Sequence, residues 1–331
     1  MSKDWTPGDL VAMARGYQNA AVVMAAAELE LFDRLAGGDF TAEGAASRLS
    51  VDLRALATLL DALAAIQLLD KRGDRYGVPP GVEGLLTAAG RGSFLALVQH
   101  HANCMRRWTN LARVVQTGQP AHCEASVRGE AADLQAFIDA MDNLADPIAT
   151  RLIAELPVPP FTRLLDVGGA SGSWTIAFLR RDPEATAILF DLAAVIPQAE
   201  GRISASGLRD RVELVAGDFY VDVLPDGADL VWVSAIVHQN SRQQNRELFA
   251  AVHRASLPGG HVLIRDIVMD ESRTAPIAGA LFAVNMLVGT HHGGTFTLSE
   301  LREDLEYAGF VDVRLLRSDE GMHSVVQAIK G

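Results

Sequence analysis

Leu164-Leu-Asp-Val-Gly-Gly-Ala-Ser-Gly172 is the stretch that decides the fold of this chain. An apolar strand ends in an acid and a glycine-rich turn, and a helix begins directly afterwards. A second acid, Asp191, closes the next predicted strand, and Gly217-Asp-Phe-Tyr220 follows the one after it. In an open α/β sheet the carboxyl ends of parallel strands form the crevice that binds nucleotide-like ligands. The pattern therefore predicts several backbone N–H groups and two carboxylates around one such crevice.

Two classes of cofactor compete for this crevice, a dinucleotide and S-adenosylmethionine. The dinucleotide fingerprint G-x-G-x-x-G needs glycine at 168, 170 and 173, where the chain has Gly168, Ala170 and Ser173. The phosphate-binding motif G-x-x-x-x-G-K-[ST] is absent as well. S-adenosylmethionine carries no phosphate, so its turn needs only a close backbone approach, which Gly168, Gly169 and Gly172 permit. The residues therefore favour the methyl donor over a nicotinamide cofactor.

Strands and helices alternate from residue 163 to the end of the chain. Strands are expected at 163–167, 186–191, 211–216, 228–235, 260–267, 310–317 and 322–329, and helices from 173, near 194–206 and at 242–256. The capping boxes Ser241-Arg-Gln-Gln244 and Thr297-Leu-Ser-Glu300 mark two helix starts. This alternation predicts an α/β fold, a Rossmann-like parallel sheet with helices on both faces.

The first part of the chain is expected to be mostly α-helical, with one small hairpin. Helices are expected at 9–35, 41–49 and 52–67, followed by a hairpin at 68–77 that turns at Gly73-Asp74. Three helices and a hairpin suggest a winged-helix-like domain, a shape often used on DNA. Residues 1–95, however, hold nine Lys and Arg against twelve Asp and Glu, and the helix that would enter a groove is apolar. We therefore interpret this domain as a core or dimer-forming element.

A helical region connects the two predicted domains. Residues 93–155 have a helical pattern with a polar break near 117–132, and Pro157-Val-Pro-Pro160 is the expected linker. The sequence thus predicts a winged-helix-like domain at 1–95, a helical connector at 96–157 and a Rossmann-like catalytic domain at 158–331.

The composition restricts the classes of partner. The 331 residues include 29 Lys and Arg against 41 Asp and Glu, a net charge of −12 that opposes nonspecific binding to nucleic acid. The sequence has no run of 18 apolar residues, so it predicts no membrane-spanning helix. The start MSKDWTPGDL lacks a signal-peptide core. Cys104 and Cys123 are expected to be thiols in a reducing compartment. We expect a cytoplasmic protein that binds neither nucleic acid nor membrane.

At this point the chain resembles the bacterial and plant-type small-molecule O-methyltransferases, which include caffeate, hydroxyindole and polyketide-tailoring enzymes. The resemblance covers nearly the whole chain. Two blocks, 27–35 and 59–69, are similar to the family's dimerisation domain; four more, 165–172, 190–192, 217–219 and 257–260, are similar to its cofactor domain. The resemblance implies a homodimer that uses S-adenosylmethionine to methylate a small aromatic or polyketide-like hydroxyl.

The resemblance also implies roles in binding the cofactor. Asp191 would accept hydrogen bonds from both ribose hydroxyls, Asp218 would take the adenine amino group, and Phe219 would pack on the adenine ring. Ser234 stands where the family usually has a lysine near the methionine carboxylate. A neutral hydroxyl could hydrogen-bond that carboxylate without neutralising it, so either the cofactor binds less tightly or another cation takes the place of the lysine. The residues expected to bind the cofactor are Asp166, Gly168, Gly169, Gly172, Asp191, Leu192, Gly217, Asp218, Phe219 and Ser234.

The catalytic candidates follow two apolar strands. Val233-Ser-Ala-Ile-Val-His238 is expected to be a strand whose end delivers His238, which aligns with the family's general base. Asp266 ends the strand Val262-Leu-Ile-Arg-Asp266 at the family's first acid position and would orient the imidazole. The family's second acid is missing, since Thr295-Phe296-Thr297 follows Gly293-Gly294. The usual His-Asp-Trp is His238-Gln239-Asn240 here.

The acceptor pocket is implied by the resemblance alone. Its expected residues are Met105, Trp108, Phe137, Met141, Asn285, Met286 and His291, although apolar residues at helical spacing are more often plain core. Histidines also occur at His100-His101, His122 and His291-His292. Because no H-x-x-x-H or C-x-x-C spacing is present, the sequence predicts no metal site.

Three other interpretations stay open on the sequence. The departures at Ser234, Gln239 and Asn240, with the missing second acid, fit a family member that binds the cofactor but transfers no methyl group. Transfer to nitrogen or carbon instead of oxygen is a second alternative. A DNA-binding regulator is a third, and the acidic N-terminal domain opposes it.

Overall fold

The computed structural model describes residues 4–90 and 92–331. Two compact units make up the chain. One runs to Thr109 and takes in His122–Asn143, and the other comprises Asn110–Ala121 and Leu144–Gly331. Residues 1–3 and residue 91 of the predicted first domain lie outside the described residues. The domain boundaries predicted at 95 and 157 stay a prediction.

The chain combines helices with mostly short strands. The helices are α1 (Pro7–Arg15), α2 (Tyr17–Glu28), α3 (Leu31–Leu35), α4 (Ala42–Leu49), α5 (Leu53–Ala65), α6 (Pro80–Leu86), α7 (Leu95–Trp108), α8 (Leu111–Thr117), α9 (Glu130–Glu155), α10 (Ser173–Arg181), α11 (Ile196–Ala205), α12 (Arg242–Ala255), α13 (Ile277–Gly289) and α14 (Leu298–Tyr307). The strands are β1 (Phe40–Thr41), β2 (Asp70–Arg72), β3 (Arg75–Gly77), β4 (Arg163–Val167), β5 (Thr186–Asp191), β6 (Val212–Ala216), β7 (Ala228–Ser234), β8 (Ser256–Asp266), β9 (Val268–Met269), β10 (Phe296–Thr297), β11 (Phe310–Arg317) and β12 (Ser324–Lys330). No helix of the described residues is long and apolar enough to cross a membrane.

The unit that contains the N-terminal part has its own core. Phe32, Leu60 and Leu63 are fully buried there, and Tyr76 of the small sheet β1-β3-β2 packs with them. The hairpin expected at 68–77 is present as β2 and β3. The single helix expected at 9–35 is wrong, however, because α1, α2 and α3 are separate. Glu30 has a positive φ of 53° between α2 and α3, and an α-helix cannot continue through that conformation.

A seven-stranded sheet forms the centre of the other unit. Its strand order is β11-β12-β8-β7-β4-β5-β6. The five strands from β8 to β6 run parallel, while β12 is antiparallel to both of its neighbours. The carboxyl ends of the parallel strands therefore meet at one edge of the sheet, where the glycine turn, Asp191 and the Gly217 segment lie. The predicted parallel α/β sheet is confirmed.

Both faces of this sheet are covered. On one face, Trp232 of β7 packs with Trp174 and Phe178 of α10, with ring centroids 5.3 and 5.2 Å from that of Trp232. On the other face, Phe249 of α12 joins a second cluster of buried apolar side chains. Strands buried on both faces have near-continuous apolar sequences, which is why β4, β5 and β7 were readable from the sequence.

Capping boxes begin α12 and α14, and a buried ion pair joins the two helices. Both predicted capping boxes are present, Ser241 with Gln244 and Thr297 with Glu300. Asp304 of α14 is 1% exposed, and its carboxylate accepts hydrogen bonds from Arg242 Nε at 2.9 Å and Arg246 Nε at 2.6 Å. The two guanidinium groups satisfy a carboxylate that would otherwise be costly to bury.

Replacing this carboxylate is expected to destabilise the chain. Asp304→Asn leaves two guanidinium groups against a neutral amide, and we expect a loss of roughly 2 kcal/mol in the free energy of unfolding, reduced from the fully buried case because both arginines keep solvent contact. Glu303→Gln is the matched control, since Glu303 pairs with Arg242 but its side chain is 63% exposed. The control should cost under about 0.5 kcal/mol. Urea unfolding followed by tryptophan fluorescence measures both, and equal losses would contradict the assignment.

Candidate active site

The glycine-rich turn after β4 is held by the end of β5. The amides of Gly168 and Gly169 donate to the Phe190 carbonyl at 2.8 and 3.3 Å. The Ala170 amide donates to Asp191 Oδ2 at 2.8 Å, and the Gly172 amide donates to the Gly169 carbonyl at 2.9 Å. These four N–H groups are therefore used within the chain.

Glycine is nevertheless required in this turn. A Cβ at Gly168 would lie 2.7 Å from Ile236 Cδ1, and one at Gly169 would lie 2.6 Å from Leu189 Cγ. Gly168 and Gly172 also have positive φ angles of 66° and 85°. Side chains at these positions would push apart the strand ends that the turn joins. The turn thus contributes close backbone approach, as the sequence predicted.

Asp191 connects the two glycine-containing turns. Its Oδ1 accepts from the Leu192 amide at 2.7 Å, and its backbone carbonyl accepts from the Gly217 amide at 2.9 Å. Burial raises the pKa of its carboxyl, although the amides of Ala170 and Leu192 act in the opposite direction. Each carboxylate oxygen keeps a second lone pair, so Asp191 can still accept hydrogen bonds from a ligand.

The segment after β6 lies beside this turn. Asp218 Oδ1 accepts from the Tyr220 amide at 2.9 Å, which fixes a tight turn. The Phe219 and Tyr220 rings lie 4.5 Å apart, and the Phe219 ring is 3.8 Å from the point where a Cβ of Gly168 would lie. The structure therefore brings Gly168, Asp191 and Phe219 together as the sequence predicted.

Asp166 offers an open acceptor under the turn. It is 1% exposed, and its Oδ2 accepts from Thr175 Oγ1 at 2.6 Å, while its Oδ1 has no hydrogen-bond partner among the described residues. Burial and, to a smaller extent, the nearby Asp191 charge raise the pKa of Asp166 to about 7, although the hydrogen bonds from Thr175 act in the opposite direction. Buried polar atoms normally have partners, so Oδ1 indicates a place for a polar group of a ligand.

His238 is reached differently from what the sequence predicted. Strand β7 ends at Ser234, and Ala235 has a positive φ of 58°. His238 then lies in a short 3-10 turn, Val237–Gln239, beyond the strand. The continuous strand expected over 233–238 is wrong, because the Ala235 conformation turns the chain away from the sheet.

His238 and Asp266 form a buried pair. Nδ1 of His238 lies 2.9 Å from Asp266 Oδ2 and 3.0 Å from Oδ1, and the two side chains are 10% and 1% exposed. Asp266 also accepts from the Ile267 amide at 2.8 Å. A carboxylate beside Nδ1 keeps the proton on that nitrogen, so Nε2 carries the lone pair. The Phe282 ring of α13 packs edge-on against the imidazole at 4.9 Å.

The glycine pair supports the backbone of His238. The Gly294 amide donates to the His238 carbonyl at 2.9 Å, and a Cβ at Gly293 would lie 2.6 Å from that oxygen. Thr295 is buried, and its carbonyl accepts from Arg273 Nη1 at 3.1 Å. The family has its second acid in this segment. In this chain the segment has no acid there, and it holds the turn of His238 through backbone contacts.

A buried amide network was not foreseen from the sequence. The Tyr220 hydroxyl donates to Asn240 Oδ1, Asn240 Nδ2 donates to Asn245 Oδ1 at 2.9 Å, and Asn245 Nδ2 donates to the Val237 carbonyl at 3.1 Å. Asn240 and Asn245 are fully buried. The network joins the Phe219 segment to the turn that carries His238. The signal for it was Asn240 itself, an amide at the position where the family has tryptophan.

The remaining cofactor candidates, Gly217, Leu192 and Ser234, follow or end strands of the large sheet. Gly217 packs against Phe190, since a Cβ on it would lie 2.4 Å from the Phe190 ring, and Leu192 is 51% exposed after β5. Ser234 lies at the end of β7, where its Oγ accepts from Arg265 Nη1 at 2.7 Å. All three stand at the edge of the sheet that carries the glycine turn.

The acceptor candidates fall into the two units. Met105 and Trp108 on α7, with Phe137 and Met141 on α9, belong to the unit that contains the N-terminal part. Asn285 and Met286 on α13, and His291 beyond it, belong to the other unit. Met286 is 9% exposed and therefore has the burial of a core residue. Over the part of the chain that the structure describes, no group of three His, Cys, Asp or Glu residues could hold a metal ion.

Comparison with known proteins identifies two sequence families along the chain. The O-methyltransferase domain matches residues 108–311, and the O-methyltransferase dimerisation domain matches residues 11–88. The first of these matches alone covers more than half of the chain.

The similar proteins match this chain over nearly the whole length of both sequences. The chain is 32% identical to a 3-hydroxy-5-methyl-1-naphthoate 3-O-methyltransferase of Streptomyces sahachiroi, over 98% of this chain and 95% of that protein. It is 29% identical to the tetracenomycin polyketide synthesis 8-O-methyl transferase of Streptomyces glaucescens, over 93% of this chain and 92% of that protein. The crystal structure of human N-acetylserotonin methyltransferase in complex with SAM shares the fold, with a TM-score of 0.81, 24% identity and full coverage of both chains.

The burial of Asp166 predicts a specific pH dependence of stability. Because its pKa is raised from 3.8 to about 7, the folded chain retains a proton that the unfolded chain releases, and stability falls as pH rises through this window. Asp166→Asn removes this loss. The unfolding free energy of the variant minus that of the unmodified chain should therefore increase by roughly 2 kcal/mol when the pH is raised from about 5 to about 8.

Urea unfolding at the two pH values measures this gain. Asp210→Asn is the control, because Asp210 is an exposed carboxylate and its substitution should shift stability equally at both pH values. If the Asp166→Asn difference is also independent of pH, then Asp166 is ionised normally in the folded chain and the assignment fails.

Proposed function

The chain belongs to the O-methyltransferase family, in which a dimerisation domain precedes the O-methyltransferase domain, and from this membership we propose that it methylates a hydroxyl of a small aromatic or polyketide-like metabolite. The methyl donor is S-adenosylmethionine, the cofactor of the family. The observation that carries the proposal is the His238–Asp266 pair beside the glycine turn. This pair supplies a base, and the turn supplies the ligand crevice.

The residues at the sheet edge suit this donor. Asp191 has unused lone pairs for two hydroxyl groups, and the Phe219 ring lies beside Gly168 where an adenine ring can pack. Asp166 Oδ1 offers an acceptor for a donor group such as the ammonium of a methionine moiety. When bound, S-adenosylmethionine supplies a methyl group that its sulfonium charge already activates.

His238 is the proposed general base. Asp266 holds the proton on Nδ1, which leaves Nε2 to accept the proton of the acceptor hydroxyl. Nε2 has no hydrogen-bond partner among the described residues and is not fully enclosed, so an acceptor can reach it. Phe282 and the Gly293-Gly294 backbone fix the ring and its turn. Orientation of the acceptor then contributes the larger part of the rate.

The class of acceptor rests on the relatives. The two Streptomyces enzymes are named for the 3-O-methylation of a hydroxynaphthoate and for 8-O-methyl transfer in tetracenomycin polyketide synthesis, so both names give oxygen as the methylated atom. We infer an acceptor of the same chemistry for this chain. Met105, Trp108, Phe137, Met141, Asn285, Met286 and His291 remain its proposed contacts, which the family resemblance supports.

Assembly as a homodimer is part of the proposal. The match of residues 11–88 to the O-methyltransferase dimerisation domain supports it. A cytoplasmic location and the absence of nucleic-acid binding stay predictions from the sequence.

Product analysis tests the proposed function. The purified chain is incubated with S-adenosylmethionine and a panel of hydroxynaphthoates, hydroxyquinones and matched aromatic amines, and products are analysed by mass. A gain of one methylene on a hydroxyl is expected. Methylation of the amines alone would mean transfer to nitrogen, and binding of adenosylhomocysteine without any product would mean a family member that no longer transfers methyl groups.

His238→Ala is expected to lower kcat on a phenol by about 10²–10⁴-fold, because proton removal is lost, while adenosylhomocysteine binding is retained. The loss should shrink for acceptors whose own pKa lies below about 7, since these are already ionised. Initial rates across a series of substituted phenols measure both effects.

His253→Gln is the control for this variant. His253 packs against Phe310, with ring centroids 5.0 Å apart, away from the glycine turn, and its substitution should leave kcat within about twofold. An equal loss for acidic and weakly acidic phenols in His238→Ala would show that His238 positions the acceptor and does not act as the base.

A further inference from the structure

Arg265 is a buried cation beside the proposed cofactor crevice. It lies one residue before Asp266 on β8 and is paired in register with Ser234 of β7. Successive strand residues point to opposite faces, so Asp266 faces His238 while Arg265 faces α10. The arginine is 5% exposed.

The guanidinium contacts neutral groups. Nη1 donates to Ser234 Oγ at 2.7 Å, Nε donates to His323 Nδ1 at 3.2 Å, and Cζ lies 4.6 Å from the Trp174 ring centroid. No carboxylate of the described residues lies within ion-pair distance of it. Burial lowers the pKa of Arg265 to about 10, even though the charges of Asp266 and Asp319 act in the opposite direction. A buried charge without an anion destabilises the free chain and favours binding of one.

One end of the guanidinium remains available. Nη2 makes no hydrogen bond to the described residues, and it is not among their fully enclosed unpartnered atoms. Trp174 is the second residue of α10, the nine-residue helix that begins directly after the Gly168–Gly172 turn. The positive end of this helix and the arginine therefore lie together at the turn. Two positive groups at one place suit an anion.

We propose that Arg265 binds the carboxylate of the methionine part of S-adenosylmethionine, with Ser234 Oγ fixing its guanidinium. This inference rests on the proposed function. The family resemblance places a lysine at position 234, and the charge that Ser234 lacks comes here from the neighbouring strand. In this proposal Arg265 binds the cofactor, while the base His238 lies on the other face of β8.

Paired ligands test the proposal. Adenosylhomocysteine and S-adenosyl-3-thiopropylamine differ only by the carboxylate, and calorimetry gives the affinity of each for the unmodified chain and for Arg265→Met. We expect the unmodified chain to prefer adenosylhomocysteine by about 10–100-fold, the range of a charge-assisted hydrogen-bonded pair. Arg265→Met should abolish this preference and leave the affinity for the decarboxylated ligand within about threefold.

Two further variants separate charge from structure. Arg254→Met is the control, since Arg254 is an exposed arginine of α12, and it should keep the full preference. The double variant Arg265→Met with Ser234→Lys should restore the preference, because it returns the cation to the position where the family has it. If Arg265→Met does not fold, Arg265→Lys replaces it and should keep the preference at a reduced level.

Each outcome decides between the proposals. An equal weakening of both ligands in Arg265→Met would show that the arginine only supports the fold, and an unchanged preference would show that another group binds the carboxylate. Either result overturns this inference and leaves the proposed function standing. Failure of the unmodified chain to bind adenosylhomocysteine at all would overturn the proposed function itself.

Discussion

The hydrogen bonds at the end of β5 hold the candidate site together. The Phe190 carbonyl accepts the amides of Gly168 and Gly169, and the Asp191 carboxylate accepts the amide of Ala170. The Asp191 carbonyl accepts the amide of Gly217. One strand end thus fixes the turn after β4 and the turn after β6 at once. These contacts therefore set the positions of Asp191, Asp218 and Phe219 relative to the glycine turn.

The sequence predicted most of the sheet and part of the site. Buried parallel strands and helix caps leave local patterns, and β4, β5, β7 and both capping boxes were found from them. The path to His238 was not found, because a single residue, Ala235, takes a left-handed conformation that no apolar pattern reveals. The pairing of β9 with β10 also leaves no local signal, since Phe296 meets Val268 across a long stretch of chain.

The residues that depart from the family pattern are hydrogen-bonded to side chains on other elements of the fold. Where the family has tryptophan, Asn240 is buried and bonded to Tyr220 and Asn245. Where the family has lysine, Ser234 is bonded to Arg265. Sequence comparison at one position misses such partners, because they lie on other elements of the fold and meet only in the folded chain. An arginine inside the otherwise apolar stretch of β8 was the visible sign that something charged had to be accommodated there.

Arg265 and Asp266 are consecutive residues on opposite faces of one strand. A one-residue insertion or deletion in β8 would exchange the two faces, so that the acid would point toward Trp174 and the cation toward His238. The length of this strand is therefore constrained by two unrelated contacts at the same time. Homologous chains of this type should differ in β8 by substitution and place their length variation in the loops on either side.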